Sequence, residues 1–291
     1  MREDFGILLL THGRADNICT IETLKKAGYR GKLFIVIDDE DEDEPRYREK
    51  FGDKVIQFCK SEVDLWTDRG DNNAEDKRAI LWARNASFGI ARSLGLKYFM
   101  MFEDDFDRIG IRSTDEGGNF LHEVPVRHFE DFIEMAIEFL EDTGADSVCF
   151  GQGGDYIGGI KSRATRTVVK LKAMNSFICR ADRPIKFAGR FNEDATNYVR
   201  GWLTGHEFYS IMPVMIGQKP TATIKGGMTE AYNENGTYIK SIMSVMYAPS
   251  ALKISWIGVT NFRVHHNVIW NNAAPKIIRE TFKKINHDYR K

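Results

Sequence analysis

"KYFMMFEDDFDRI", Lys97–Ile109, runs five hydrophobic residues (Tyr98–Phe102) straight into Glu103, Asp104 and Asp105, with Asp107 just beyond. An unbroken apolar run of this length reads as a strand covered on both faces, as in parallel sheets flanked by helices. Ligands of such sheets collect at the carboxyl ends of the strands. The carboxylates therefore stand where a site is expected.

The chain upstream keeps the same rhythm. "FGILLLT" (5–11), "KLFIVIDD" (32–39) and "DKVIQFC" (53–59) are further short apolar runs. Helical spacing marks 18–27 and 75–95, and a glycine ends each, Gly28 and Gly95. This alternation predicts an α/β fold with a mostly parallel sheet and helices on both faces. Beyond residue 110 the pattern loosens. Helices are expected over 126–141 and 237–248, a strand over 146–151, antiparallel strands within 165–180, and late strands over 251–258 and 261–268. No repeat or low-complexity linker divides the chain, so one domain (1–291) is expected: a parallel half (1–110) and a smaller, partly antiparallel half (111–291) that completes the site.

Composition narrows the class. The 291 residues are 42% hydrophobic and 29% charged, ordinary for a globular protein. No apolar run approaches the roughly 20 residues that span a bilayer, so no membrane partner is expected. The opening "MREDFGILLLTHGR" is too short in its apolar part and too acid-flanked for a signal peptide, and the four cysteines show no paired spacing. A cytoplasmic location follows as the expectation.

Net charge is −1, which excludes nothing globally, but its distribution is uneven. Asp38–Glu44, "DDEDEDE", is wholly acidic, whereas Lys161–Arg190 carries nine Lys/Arg against a single acid, Asp182, and 275–291 is again basic. A polyanionic partner on one face is compatible with this; on charge alone, solvated surface is the commoner explanation.

Glu103 and Asp105 alternate about Asp104, so in an extended segment they share a side. Two same-side carboxylates repel unless a cation lies between them, and a divalent metal with hard oxygen ligands is the simplest remedy. Such a metal, Mn or Mg, binds a diphosphate and offsets charge on a phosphate leaving group. An acidic pair after a strand is more often a cap or a solvated turn, but its surroundings favour the metal. "THGRADN" (11–17) follows the first strand, with Thr11, His12 and Arg14 able to meet a phosphate or base. Asp38 and Asp39 follow the second, where a carboxylate can hold a ribose or base edge. Arg84 lies on the helix before the fourth strand, and Asp104 sits between the candidate metal ligands.

"GQGGDYIGG" (151–159) fits neither a P-loop nor a dinucleotide fingerprint. Gly153 and Gly154 there allow close backbone approach to a ligand, or a mobile flap, or form a plain surface loop. In "GRFNEDATNYVRGW" (189–202), Glu193 and Asp194 open a helix; one is a candidate general base, and an ordinary acidic first turn is the alternative. His265 and His266, in "RVHH", are candidates to complete the metal site.

Several of these blocks together resemble one known family. "GILLLTHGRADN", "KLFIVIDDED", "RAILWARNASF", "KYFMMFEDDF", "FGQGGDYIGG", "KAMNSFICRADRPIKFAGRFNEDATNY", "KGGMTEAY" and "HHNVIWNNAAPKII" are similar to the TET/JBP-associated glycosyltransferases, largely of phages and mobile elements, from Gly6 to about Ile278. The resemblance implies a GT-A-type (Rossmann-like) fold, a nucleotide-sugar donor such as UDP-glucose bound by the first half, and a metal at the EDD segment held by Asp105, Glu103 and one of His265 and His266. It implies as acceptor the hydroxymethyl group of 5-hydroxymethylcytosine in DNA, in a bacteriophage setting and host cytoplasm, with Asp194 as base and inversion at the sugar. The basic stretches would then meet DNA phosphates, reversing the charge-only reading. Where the family pattern is of the DXD type, this chain has the longer Glu103 at the first position. The alternatives are a glycosyltransferase with a protein, glycan or small-molecule acceptor, and a non-catalytic nucleotide-sugar or DNA-binding module.

Overall fold

The computed structural model describes residues 1–71, 76–118, 121–219, 234, 236, 238–257 and 263–273. The basic stretch 275–291 and the block 225–232 lie outside the described residues. The elements in chain order are β1 (Phe5–Leu10), α1 (Cys19–Lys26), β2 (Lys32–Asp38), α2 (Glu44–Phe51), β3 (Val55–Phe58), α3 (Lys60–Asp64), α4 (Leu81–Ser93) and β4 (Tyr98–Glu103). There follow β5 (Phe106–Thr114), β6 (Leu121–Pro125), α5 (Phe129–Thr143), β7 (Ser147–Gln152), β8 (Val169–Lys170), β9 (Phe177–Arg180) and α6 (Glu193–Leu203). Last come β10 (Phe208–Gln218), α7 (Ile239–Tyr247), β11 (Leu252–Ile257), β12 (Arg263–Val268) and α8 (Trp270–Ala273).

Ten strands form one sheet in the order β3-β2-β1-β4-β9-β7-β10-β5-β6, with β8 on β10. The strands β1, β2, β3, β4, β7 and β10 run one way, and β9 enters antiparallel between β4 and β7. The far side turns antiparallel through β5, β6 and β8, and β11 pairs with β12 in a separate hairpin. This is the mostly parallel α/β sheet with an antiparallel far part that the sequence implies. β5 crosses residue 110, so a single sheet runs through both halves.

β4 sits fourth from the edge and is buried on both faces. Phe99 and Met101 join a core with Trp82, Phe88, Phe177 and Phe187, while Tyr98, Met100 and Phe102 join the opposite core with Phe129, Ile133 and Phe150. All five are at most 1% exposed; burying each is worth roughly 1.5–3 kcal/mol, which fixes the strand in the sheet centre.

The helix expected from residue 75 begins only at Leu81. Asp76 accepts from the Arg78 backbone N–H (3.1 Å) and its guanidinium, a local side-chain arrangement that competes with the first helical turn. The loop 11–17 is gripped by the acidic run. Asp41 accepts from the Gly13 N–H (2.9 Å) and Asp43 from the Ala15 N–H (3.3 Å). The run is therefore a structural brace as well as a charged surface.

Candidate active site at the end of β4

The turn after β4 is pinned from beneath by the start of α1. Thr20 Oγ1 donates to the Glu103 carbonyl (2.6 Å) and accepts from the Phe106 N–H (2.9 Å). With its backbone fixed, the turn sends its carboxylates two ways. Asp104, 4% exposed, accepts from Thr11 Oγ1 (2.6 Å) and pairs with Arg14 Nη1 (2.7 Å). Glu103 and Asp105 converge on another group, the amide of Gln218 at the end of β10. Its Nε2 lies 3.2 Å from Glu103 Oε2 and 3.0 and 3.2 Å from the two Asp105 oxygens.

Arg84, 1% exposed, is enclosed on α4 with Phe177 and Phe187 at its guanidinium. Its Nη2 donates to Glu103 Oε1 (2.7 Å) and its Nη1 lies 2.7 Å from Glu193 Oε1. One buried cation thus joins the end of β4 to the start of α6. Burial pushes the Glu103 carboxyl well above its ordinary range against the pull of Arg84, with Asp105 and Glu193 adding repulsion. Burial raises Asp105 and Glu193 as well, neighbouring Asp104 and Asp194 respectively pushing the same way. Five carboxylates (Glu103, Asp104, Asp105, Glu193, Asp194) thus gather around two guanidiniums, those of Arg14 and Arg84.

Asn192, in the left-handed region at φ 59°, precedes α6 and turns the chain so that both acids open the helix. Asp194 Oδ1 accepts from the Ala195 N–H (2.6 Å). Asn192 Nδ2 also reaches His266 Nδ1 at 3.3 Å. Burial, then the nearby charges of His265, Lys240 and Lys172, push His266 down to about 4, so its ring is neutral. The His265 ring lies tilted beside it, centroids 4.4 Å apart. His266 thus lies against the start of α6, with His265 beside it.

On the other side, His12 Nδ1 lies 2.8 Å from Asp38 Oδ2, which with its neighbours raises the imidazole. Lys60 Nζ approaches Asp38 at 3.4 Å. Asp39 accepts from the Lys60 N–H (2.8 Å), at the start of α3. Arg14 Nε is buried without a protein partner. Gly153 and Gly154 lie in a short 3-10 turn whose Asp155 receives the Gln152 N–H (3.0 Å). A Cβ on Gly154 would meet nothing within 4 Å, and one on Gly153 only Arg108 Nη2 at 4.0 Å, so packing requires neither glycine.

Sequence reasoning missed Gln218 and its neighbour Asn175, whose Nδ2 donates to Gln218 Oε1 (2.9 Å). The rule that found Glu103, a polar residue at the carboxyl end of a buried strand, also finds Gln218 once β10 is known. Of the nine basic residues in 161–190, several are committed internally. Lys170 and Lys172 both pair with Asp155, Arg180 with Asp182, and Arg190 with Asp71 and Asp76. Lys161, Arg166 and Lys186 remain exposed.

Among the described residues, no three His, Cys, Asp or Glu side chains form a ready metal cage. The donor set still suits a hard cation. Mg-type ions are commonly held by one or two carboxylates plus substrate phosphates and water, and Glu103 and Asp105 offer such a pair, converged on a single positive amide edge.

Residues 5–227 match the family described as TET-Associated Glycosyltransferase. The chain belongs to the TET-associated glycosyltransferases. No curated protein matches this glycosyltransferase in sequence. Among solved structures it is similar to a mannosyltransferase from Pyrobaculum calidifontis in complex with GDP-Man and Mn2+ (14% identity, TM-score 0.45), covering 83% of this chain and 65% of that one. It is also similar to glucosyl-3-phosphoglycerate synthase from Mycobacterium tuberculosis in complex with Mn2+, UDP and phosphoglyceric acid (10%, TM-score 0.47; 91% and 87%). A third is S. aureus TarS (11%, TM-score 0.41; 82% and 39%). Likeness at this level transfers no residue roles. Among the described residues no helix is long and apolar enough to cross a membrane.

Proposed function

We propose that this glycosyltransferase moves a sugar from a nucleotide-sugar, UDP-glucose or a close analogue, to the hydroxymethyl oxygen of 5-hydroxymethylcytosine in DNA. The observation that carries the reading is the Arg84 bridge, which ties the Glu103–Asp105 pair to the helix start bearing Asp194. It sets a donor-side and an acceptor-side group in one frame, as a group transfer requires.

Asp105 and Glu103 would hold a divalent cation, Mn or Mg. When bound, that cation supplies charge neutralisation for the departing diphosphate. The protein's own groups do the rest. Arg14, with a free buried Nε, receives donor phosphate, and the Thr11–Asp104 contact holds Arg14 in place. His12 and Asp38, with Asp39 fixing the loop, form the wall for the ribose or base. Gly153 and Gly154 leave room for the substrate backbone. Asp194 Oδ2 takes the proton from the acceptor hydroxyl as its oxygen bonds to the anomeric carbon and the bond from that carbon to the diphosphate breaks. Attack from the face opposite the leaving group inverts the anomeric configuration. Glu193 is committed to Arg84 and positions Asp194. His265 and His266, the candidate third ligands of that cation, lie by the start of α6 through Asn192; a flipped base would enter beside this helix start, flipping being the usual solution for chemistry on a base.

The test is incubation with a panel of labelled nucleotide-sugars and either hydroxymethylated or unmodified DNA, followed by mass analysis of the nucleosides. A hexose-shifted 5-hydroxymethyl-2′-deoxycytidine is expected only with modified DNA and metal. Transfer to protein or glycan but not DNA would replace the acceptor; donor binding without any transfer would make the chain a binding module.

A further inference from the structure

Gln218 holds the place that a cation between Glu103 and Asp105 would take. Its single Nε2, with two hydrogens, faces three carboxylate oxygens at 3.0–3.2 Å. Asn175 fixes which end of the amide points inward, because its Nδ2 donates to Gln218 Oε1. A flipped amide would set oxygen against carboxylate and nitrogen against nitrogen. The backbone aims the side chain: the β10–β5 register shifts between Gly217 and Gln218, a bulge of the kind that redirects a side chain toward a site. Asn175 itself is in the left-handed region at φ 57°, which asparagine tolerates better than most residues.

We propose that Gln218, set by Asn175, is a placeholder: it satisfies the two carboxylates in the metal-free enzyme and must swing away for the cation to bind. A metal bound at about 2.1 Å on the lone pairs that Nε2 now faces at about 3 Å displaces the amide from them. The enzyme would therefore keep the two carboxylates ordered before the cation arrives while its intrinsic metal affinity is lowered. Gln218 is a positioning residue, and the inference rests on the metal reading above.

The test is Mn2+ binding by calorimetry without donor, alongside thermal melts with and without Mn2+. Gln218→Leu, close in size but unable to donate, is expected to bind Mn2+ roughly tenfold tighter, since hydrogen bonds to charged groups no longer compete. Its metal-free form melts lower, while its Mn2+-loaded form melts near the wild type. Asn175→Ala, which leaves the amide present but unfixed, shifts affinity the same way by less and keeps the test available if Gln218→Leu does not fold. Unchanged affinity in both variants overturns the proposal. Weaker binding in Gln218→Leu also overturns it, making the amide a ligand. Absence of Mn2+ binding by the wild type and by both variants, alone and with a nucleoside diphosphate present, would instead sink the metal reading itself.

Discussion

Arg84 Nη1 and Glu193 Oε1 stand 2.7 Å apart inside the protein, while the same guanidinium holds Glu103 with its other nitrogen. Arg84→Met removes the cation and leaves two buried carboxyls facing each other. A loss of about 3–5 kcal/mol in unfolding free energy is expected, measured by urea denaturation. Adding Glu193→Gln to the same chain should recover part of it; strict additivity would mean the two residues do not interact.

Asp194→Asn keeps the side chain's shape and can preserve the contact to the Ala195 N–H through its amide oxygen. It cannot take a proton. Single-turnover rates should fall between about 10²- and 10⁴-fold, with the donor dissociation constant changed less than about twofold. A loss confined to donor affinity would move the base to another residue.

Burial raises Glu103 to about 8 and Asp105 to about 6. Both carboxyls must be deprotonated to hold a cation. Mn2+ affinity should therefore rise between about pH 5.5 and pH 8.5, with protons released on binding, measurable by calorimetry in two buffers of different ionisation heat. The stability sign runs the other way. Carboxyls raised above their ordinary range favour the folded state at acid pH and lose that contribution as pH climbs through the raised values. Metal-free protein should melt lower at alkaline pH, and Mn2+ should flatten the slope.

Among the described side chains of the basic stretch, Lys161, Arg166 and Lys186 are exposed, the others named above being paired with acids of the protein. Replacing all three with Ala should reduce the dependence of log affinity for DNA on log salt by roughly 2–3 units. An unchanged slope would place the DNA path elsewhere on the surface.

The strand that carries the acids was legible because nothing in Tyr98–Phe102 competes with burial on two faces. The strand-end positions of Thr11, Arg14 and Asp38 were legible for the same reason, each following a plain apolar run. β10 was not, because Pro213 interrupts "FYSIMPVMIGQ" and ordinarily demotes a strand. In the structure the proline is exposed, and the β10–β7 register shifts between Ile211 and Met215, so the ladder steps around it. Gln218 went unseen with its strand. The β5–β6 hairpin was hidden because its edge strand β6 is half-buried to exposed along its whole length and carries no apolar run. What sequence pattern cannot supply is partnership: that Arg84 would be enclosed between two acids, or that the acidic run would clasp residues 11–17, depends on contacts made 19 to 109 positions apart in the case of Arg84.

One continuous sheet passes under both the Asp105 turn and the far strands that deliver Gln218. Such a floor has no hinge. Rotating one wall of the cleft against the other would tear a ladder of backbone hydrogen bonds, so the enzyme cannot work as a clamshell. Any closure over substrate would then fall to the segments at the strand ends, above a rigid anvil.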